Sequence, residues 1–252
     1  MLTEELRIFR QHGQQSIASL KDATVPGPFR GRPVIAPGNS PEEETKIAAI
    51  CPAGAIATGP LSIDLGKCTF CEECQFFAPA VIRFSNDYRM AAGSREKLII
   101  RAGEEKEINV KNENTLPFIH QFFRRALKLR QVSAGGDNAT EMELNATGNV
   151  NFDLGRYGIE FVASPRHADG MVITGPITRN MAAAVKLTWE AIPSPKILIL
   201  AGTDAISGGL FLNSTAIDRS FLTDRHIDLF VPGNPVHPLT FIHGIMELTG
   251  RW

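Results

Sequence analysis

Four cysteines confined to one short stretch constrain this chain more than any other feature. Cys51, Cys68, Cys71 and Cys74 lie within one quarter of the sequence, and the 178 residues that follow contain no cysteine. Disulfides that staple a secreted fold are spread along it, so this clustering points to a metal or cofactor.

The spacing narrows the choice. Bacterial cluster-binding runs read C-x2-C-x2-C-x3-C-P, and in two-cluster versions the fourth cysteine of one run ligates the other cluster. Cys68-Thr-Phe-Cys71-Glu-Glu-Cys74 matches the first three positions, and Cys51-Pro52 matches a fourth. By the crossover rule these four thiolates serve one [4Fe–4S] cluster. They are soft anionic ligands, suited to iron and sulfide. The companion site has lost its ligands. Counting back from Cys51 gives Pro41, Glu44 and Ile47, and counting forward from Cys74 gives Ala78. None is a thiolate. A structural zinc site is the competing use of the same cysteines, but zinc sites usually pair two CxxC knuckles. Here three cysteines crowd one loop.

The remaining composition excludes several classes. With 43% hydrophobic and 21% charged residues and a net charge of −1, the chain is ordinary and globular. It has no basic field for nucleic acid. No apolar run reaches the ~18 residues of a membrane span, and the N-terminus lacks a signal-peptide core. The expectation is a cytoplasmic protein, peripheral on the membrane at most through partners.

Four segments are expected. Residues 1–30 read as a helix (Thr3 to about Leu20) and a Pro/Gly-rich linker. Residues 31–103 hold the cysteines between the strand-like pieces PVIAP, GPLSID and KLIIRAG. Residues 104–131 form a linker with an amphipathic helix at Leu116–Leu129. Residues 132–252 carry buried-type runs at Ile159–Ala163, Gly170–Gly175, Lys196–Gly202 and Ile227–Gly233. Between the second and third, Thr178–Ala191 reads as a helix with Thr178 at its N-cap and Pro193 beyond its end. Alternating strands and helices predict a covered parallel sheet.

The stretches LKLRQVSAGG, YGIEFVASPRHADGMVITGPITRNM, PSPKILILAG, AISGGLF and VPGNPVHPLT resemble the small subunit of group 4 membrane-bound [NiFe]-hydrogenases. They are also similar to the related 20 kDa subunit of respiratory complex I. The N-terminal half resembles the ferredoxin-like subunit of such complexes. The resemblance implies a mixed fold: an α+β ferredoxin-like domain followed by an α/β flavodoxin-like domain. The latter would dock on a large catalytic subunit, with membrane subunits beyond it. It also implies a second [4Fe–4S] cluster in the α/β domain, whose ligand positions here carry Asp137, Thr140, Asp204 and Asn234. Thr140 and Asn234 are poor cluster ligands, so this site is expected to be cluster-free. Short polar residues suit turns and helix starts there, with a hard cation as the alternative.

Other candidates are weaker. Arg166 and His167 fall in a loop, where Arg166 is expected to pair with a carboxylate and His167 to bond backbone. His237 and His243 are six apart and do not share a helix face. Ser207-Gly208-Gly209 lacks the lysine of a phosphate loop. Two functions stay open: an electron-transfer subunit, or a structural subunit of a repurposed complex in which the cluster only staples the fold.

Overall fold

The computed structural model describes residues 2–13, 16–25, 27–104, 107–110 and 117–252. Helix α1 (Leu2–His12) opens the chain and stops at Gly13, whose φ of 60° suits glycine best. The helix is therefore shorter than expected. Leu20 lies beyond it and is buried in the core.

The cysteine-bearing part contains β1 (Pro33–Ile35), α2 (Pro41–Ile50), β2 (Ile56–Ala57), β3 (Ser62–Asp64), α3 (Glu73–Phe77), β4 (Ile82–Phe84) and β5 (Ile99–Arg101). Strand β1 pairs antiparallel with β4, and β3 lies between β2 and β5 in a second antiparallel sheet. The expected pieces PVIAP, GPLSID and KLIIRAG supply β1, β3 and β5. Helix α2 begins where the Ser40 hydroxyl accepts the Glu43 N–H at 3.3 Å, with proline at its first position and three glutamates in its first turn.

The remainder contains α4 (Pro117–Phe122), β6 (Leu127–Ser133), α5 (Ala139–Ala146), β7 (Ile159–Phe161), β8 (Gly170–Thr174), α6 (Arg179–Ala191), β9 (Ile197–Ala201), α7 (Thr203–Ser207), β10 (Leu229–Val231) and α8 (Pro238–Leu248). The five strands β6 to β10 form one parallel sheet in the order β10-β9-β8-β6-β7. Counted along the chain, that is the flavodoxin-like 2-1-3-4-5 arrangement, with its switch point between β6 and β8. Every residue of β8 and β9 is buried, as central parallel strands covered on both faces require.

One stretch departs from its sequence reading. The helix expected at Leu116–Leu129 is only the short α4, and Leu116 lies outside the described residues. From Leu127 the chain is strand β6, with Leu127 and Leu129 buried and Lys128 exposed between them. The period-two alternation wins because β6 is hydrogen-bonded on both sides, to β7 and β8.

Two apolar layers flank the sheet. On one, Leu144 of α5 and Phe241 and Ile245 of α8 pack on Leu129, Val172 and Ile199. On the other, Val185 of α6 joins Val132, Ile173, Leu198 and Leu200 in a core shared with Ile47, Leu61, Leu65 and Leu98 of the cysteine-bearing part. Ala92 also pairs with Phe230 of the edge strand β10 through reciprocal backbone bonds of 2.9 and 2.8 Å. The cysteine segment is thus seated on the sheet. Among the described residues no helix is long and apolar enough to cross a membrane.

Candidate metal centre

Cys51 ends α2, Cys68 follows β3, Cys71 lies in the loop and Cys74 lies in α3. All four are free thiols, and all line one cavity with Ala55, Ile63 and Phe84. Two non-glycine residues bend the loop into this shape: Phe70 at φ 54° and Glu72 at φ 65°. Left-handed backbone at such residues persists only where the surroundings hold it. Two amides point at sulfur, Ala55 N–H to Cys51 Sγ at 3.2 Å and Phe70 N–H to Cys68 Sγ at 3.3 Å. Such donors favour the thiolate and tune whatever it binds.

Without a bound cation the site opposes ionisation. Burial pushes the Cys68 thiol up to about 12, and the neighbouring cysteines add to the rise. Burial likewise raises Cys74 to about 11, reinforced by Cys51 and Cys71. A group that takes these sulfurs as thiolates must bring compensating positive charge. Among the described residues no three His, Cys, Asp or Glu side chains are arranged to hold a single metal ion. The four cysteines line one shared cavity.

Several residues that hold the loop carried no signal in the sequence. Asp64 receives a forked bond from Arg95 at 2.6 and 2.5 Å, while its backbone carbonyl accepts the Cys68 N–H at 2.9 Å. Thr203, buried at the start of α7, bonds the Cys68 carbonyl at 2.8 Å and the Gly233 carbonyl at 3.2 Å. It links the cysteine loop to the ends of β9 and β10. Arg30 reaches the loop from the linker before β1.

The positions counted as lost ligands of a companion site have other occupations. Pro41, Glu44 and Ile47 all lie on α2. Ile47 is completely buried in the core. The Glu44 carboxylate accepts the Gly59 N–H at 2.8 Å and the Leu61 N–H at 3.0 Å. Ala78 caps α3 and packs on the same core.

The other four positions sit at the C-terminal edge of the parallel sheet. Asp137 and Thr140 follow β6, Asp204 follows β9 and Asn234 follows β10. The structure sets Asp204 within electrostatic reach of Asp137 and places Thr140 beside Gly202. A side chain at Gly202 would lie 3.0 Å from Thr140 Oγ1 and 3.7 Å from the Gly233 carbonyl. Asp204 titrates above its ordinary range because it is buried and next to Asp137, with Arg219 opposing the rise. Asp137 Oδ1 accepts the Ala139 N–H at 2.9 Å at the start of α5. This turn-capping use is the one expected for short polar residues.

Arg166 and His167 are exposed in a turn at Pro165–His167, and among the described residues Arg166 forms no ion pair. No carboxylate among the described residues pairs with it, contrary to the expectation. The His167 backbone N–H bonds the Ser164 carbonyl at 3.1 Å. His237 caps α8 by accepting the Leu239 N–H at 3.2 Å, while His243 lies buried in that helix.

A doubly wound parallel sheet bearing a clamped four-cysteine loop defines the class: a flavodoxin-like α/β protein with an attached cysteine-rich unit. The chain belongs to the family described as the NADH ubiquinone oxidoreductase 20 kDa subunit, which its residues 138–248 match. Its relatives include "Probable membrane-bound hydrogenase subunit mbhJ" of Pyrococcus furiosus, 33% identical and covering 53% of this chain and 80% of that one. An F(420)H(2) dehydrogenase subunit of Methanosarcina mazei is 33% identical over 57% of this chain and 84% of its own. An NADH-quinone oxidoreductase subunit of Clostridium beijerinckii is 40% identical over 42% of this chain and 64% of its own.

Proposed function

We propose that this chain is an iron–sulfur electron-transfer subunit of a hydrogenase-related or complex I-like oxidoreductase. In this reading a ferredoxin-like unit at residues 31–103 carries one [4Fe–4S] cluster on Cys51, Cys68, Cys71 and Cys74. The observation that carries the reading is the shared cavity of four thiols from two chain segments, with backbone amides aimed at two of the sulfurs. Four thiolates around a space, one for each iron, are what a cube needs. Such a cluster, when bound, accepts or passes single electrons. The chain's residues supply the thiolates, exclude water with Ile63 and Phe84, and orient the loop through Asp64 and Thr203.

The α/β domain, residues 132–252, is proposed to hold no cluster. Asp137, Thr140, Asp204 and Asn234 stand at the ligand positions implied by the resemblance, and Asp137 is engaged as a turn cap. A large subunit and membrane subunits are the proposed partners. The names of relatives, a probable membrane-bound hydrogenase subunit and an NADH-quinone oxidoreductase subunit, support such partners, and the cytoplasmic face of the membrane is the proposed location.

A second reading makes the cluster only a staple. It is favoured by α2, whose Glu44 and Ile47 turn the companion site into packing. One experiment separates them. The protein is purified without oxygen, its iron and sulfide are counted, and its reduction is followed by electron paramagnetic resonance. Electron transfer requires about four irons per chain and one reducible centre. An intact centre that resists reduction supports the staple, while zinc, or two clusters, refutes the proposal. Cys71→Ala is expected to lose the iron.

A further inference from the structure

We infer that Arg30 is the positioning residue that locks the cysteine loop and sets the redox poise of the group it holds. This deepens the cluster reading and rests on it. The guanidinium makes two contacts inside the motif. Arg30 Nη1 donates to the Phe70 carbonyl at 2.9 Å, and Arg30 Nε pairs with Glu72 Oε2 at 2.8 Å. Phe70 and Glu72 are the two residues of the motif held in left-handed backbone. One side chain therefore grips both strained points between Cys68 and Cys74. Arginine suits this role because its planar fork presents fixed donors in two directions.

The segment that delivers Arg30 is anchored on both sides. Phe29 packs against both apolar layers, with its ring 4.8 Å from that of His237. Gly31 donates to the Ser85 carbonyl at 2.7 Å, and a Cβ there would lie 2.2 Å from the Asp87 carbonyl. Only glycine permits that approach. Arg32 N–H follows with a bond to the Asp87 carbonyl at 2.9 Å. Arg30 is thus presented to the loop by a fixed backbone, and its place is set by packing far from the cysteines in sequence.

The pair also balances charge. Glu72 directly follows Cys71, and its side chain is one-fifth exposed. Arg30 cancels this negative charge where an anionic group would otherwise feel it. Removing Arg30 leaves Glu72 uncompensated and disfavours the more negative, reduced state of the cluster. The shift expected is about tenfold in the reduced-to-oxidised ratio at fixed ambient potential, or ~59 mV for a one-electron couple.

The test uses the full chain purified without oxygen, as wild type, Arg30→Gln, Arg30→Lys and the double variant Arg30→Gln with Glu72→Gln. Iron content, midpoint potential and the rate of iron loss to a chelator are measured for each. Arg30→Gln is expected to lower the potential and hasten iron loss. The double variant should recover the potential, because charge balance returns, but should still lose iron quickly, because the grip on Phe70 does not. Arg30→Lys should keep the potential near wild type and lose iron faster. If Arg30→Gln retains no iron, Arg30→Lys gives the rate of iron loss, and Glu72→Gln alone, expected to raise the potential, gives the charge balance. Unchanged potential and iron loss in these variants overturn the assignment while leaving the cluster intact. A wild-type chain without iron and sulfide instead sinks the cluster reading beneath it.

Discussion

Replacing Glu44 by alanine is expected to destabilise the protein by about 2–3 kcal/mol and to leave the proposed iron content unchanged. The carboxylate is nearly buried and accepts two backbone amides, Gly59 N–H at 2.8 Å and Leu61 N–H at 3.0 Å. Gly59 is exposed, so its amide finds water once the carboxylate is gone. Leu61 is fully buried, so its donor is stranded, at a cost of about 1–3 kcal/mol, and the lost bond to a charged acceptor sets the upper end. Glu44→Gln keeps one carbonyl acceptor and should lose about 1 kcal/mol. In urea unfolding, with a slope of about 2–3 kcal/mol per molar, alanine should lower the midpoint by about 1 M. Iron per folded chain should be unchanged, because Glu44 serves the turn and not a metal. A midpoint equal to wild type, or glutamine as damaging as alanine, would refute the capping account. Loss of iron from a folded Glu44→Ala protein would show that the companion position is still a ligand.

Two further predictions concern pH. Burial and Asp137 raise the carboxyl of Asp204 in the fold, so its ionisation opposes folding. That penalty is absent below the ordinary carboxylate range and grows as pH rises through the elevated value. Asp204→Asn should therefore stabilise the protein at neutral pH, with the gain vanishing near pH 4 in denaturant titrations. Burial, with Arg89 adding to it, lowers His243 to about 4. The unfolded chain takes up this proton near pH 6.5 and the fold does not, so stability falls as pH drops from 6.5 toward 4. His243→Phe should remove about 3 kcal/mol of that acid sensitivity. It strands nothing at Nδ1, which has no partner among the described residues. An unchanged stability difference between pH 7 and pH 4.5 would contradict the buried neutral imidazole.

Much of the architecture is legible in the residues themselves. Runs such as Ile197–Ala201 are apolar at every position, and only strands covered on both faces tolerate that. The four cysteines announce one shared site through spacing alone, because a loop of two-residue steps has few ways to present three sulfurs. Leu127–Leu129 reads as helix in the sequence because a short amphipathic stretch fits both periods. Pairing to β7 and β8, strands that lie farther along the chain, makes it a strand instead.

What the linear order left undetermined is which distant groups serve the cysteine loop. Nothing in the order of residues relates Arg30 to Glu72 across the intervening strands, or Thr203 to Cys68. Nor does it reveal that Glu44 feeds a turn fifteen residues away. Periodicity and spacing are local properties, so sequence alone suggests most of the elements and which cysteines belong together. Hydrogen bonds between remote polar groups exist only once the apolar layers have packed and brought those groups within reach.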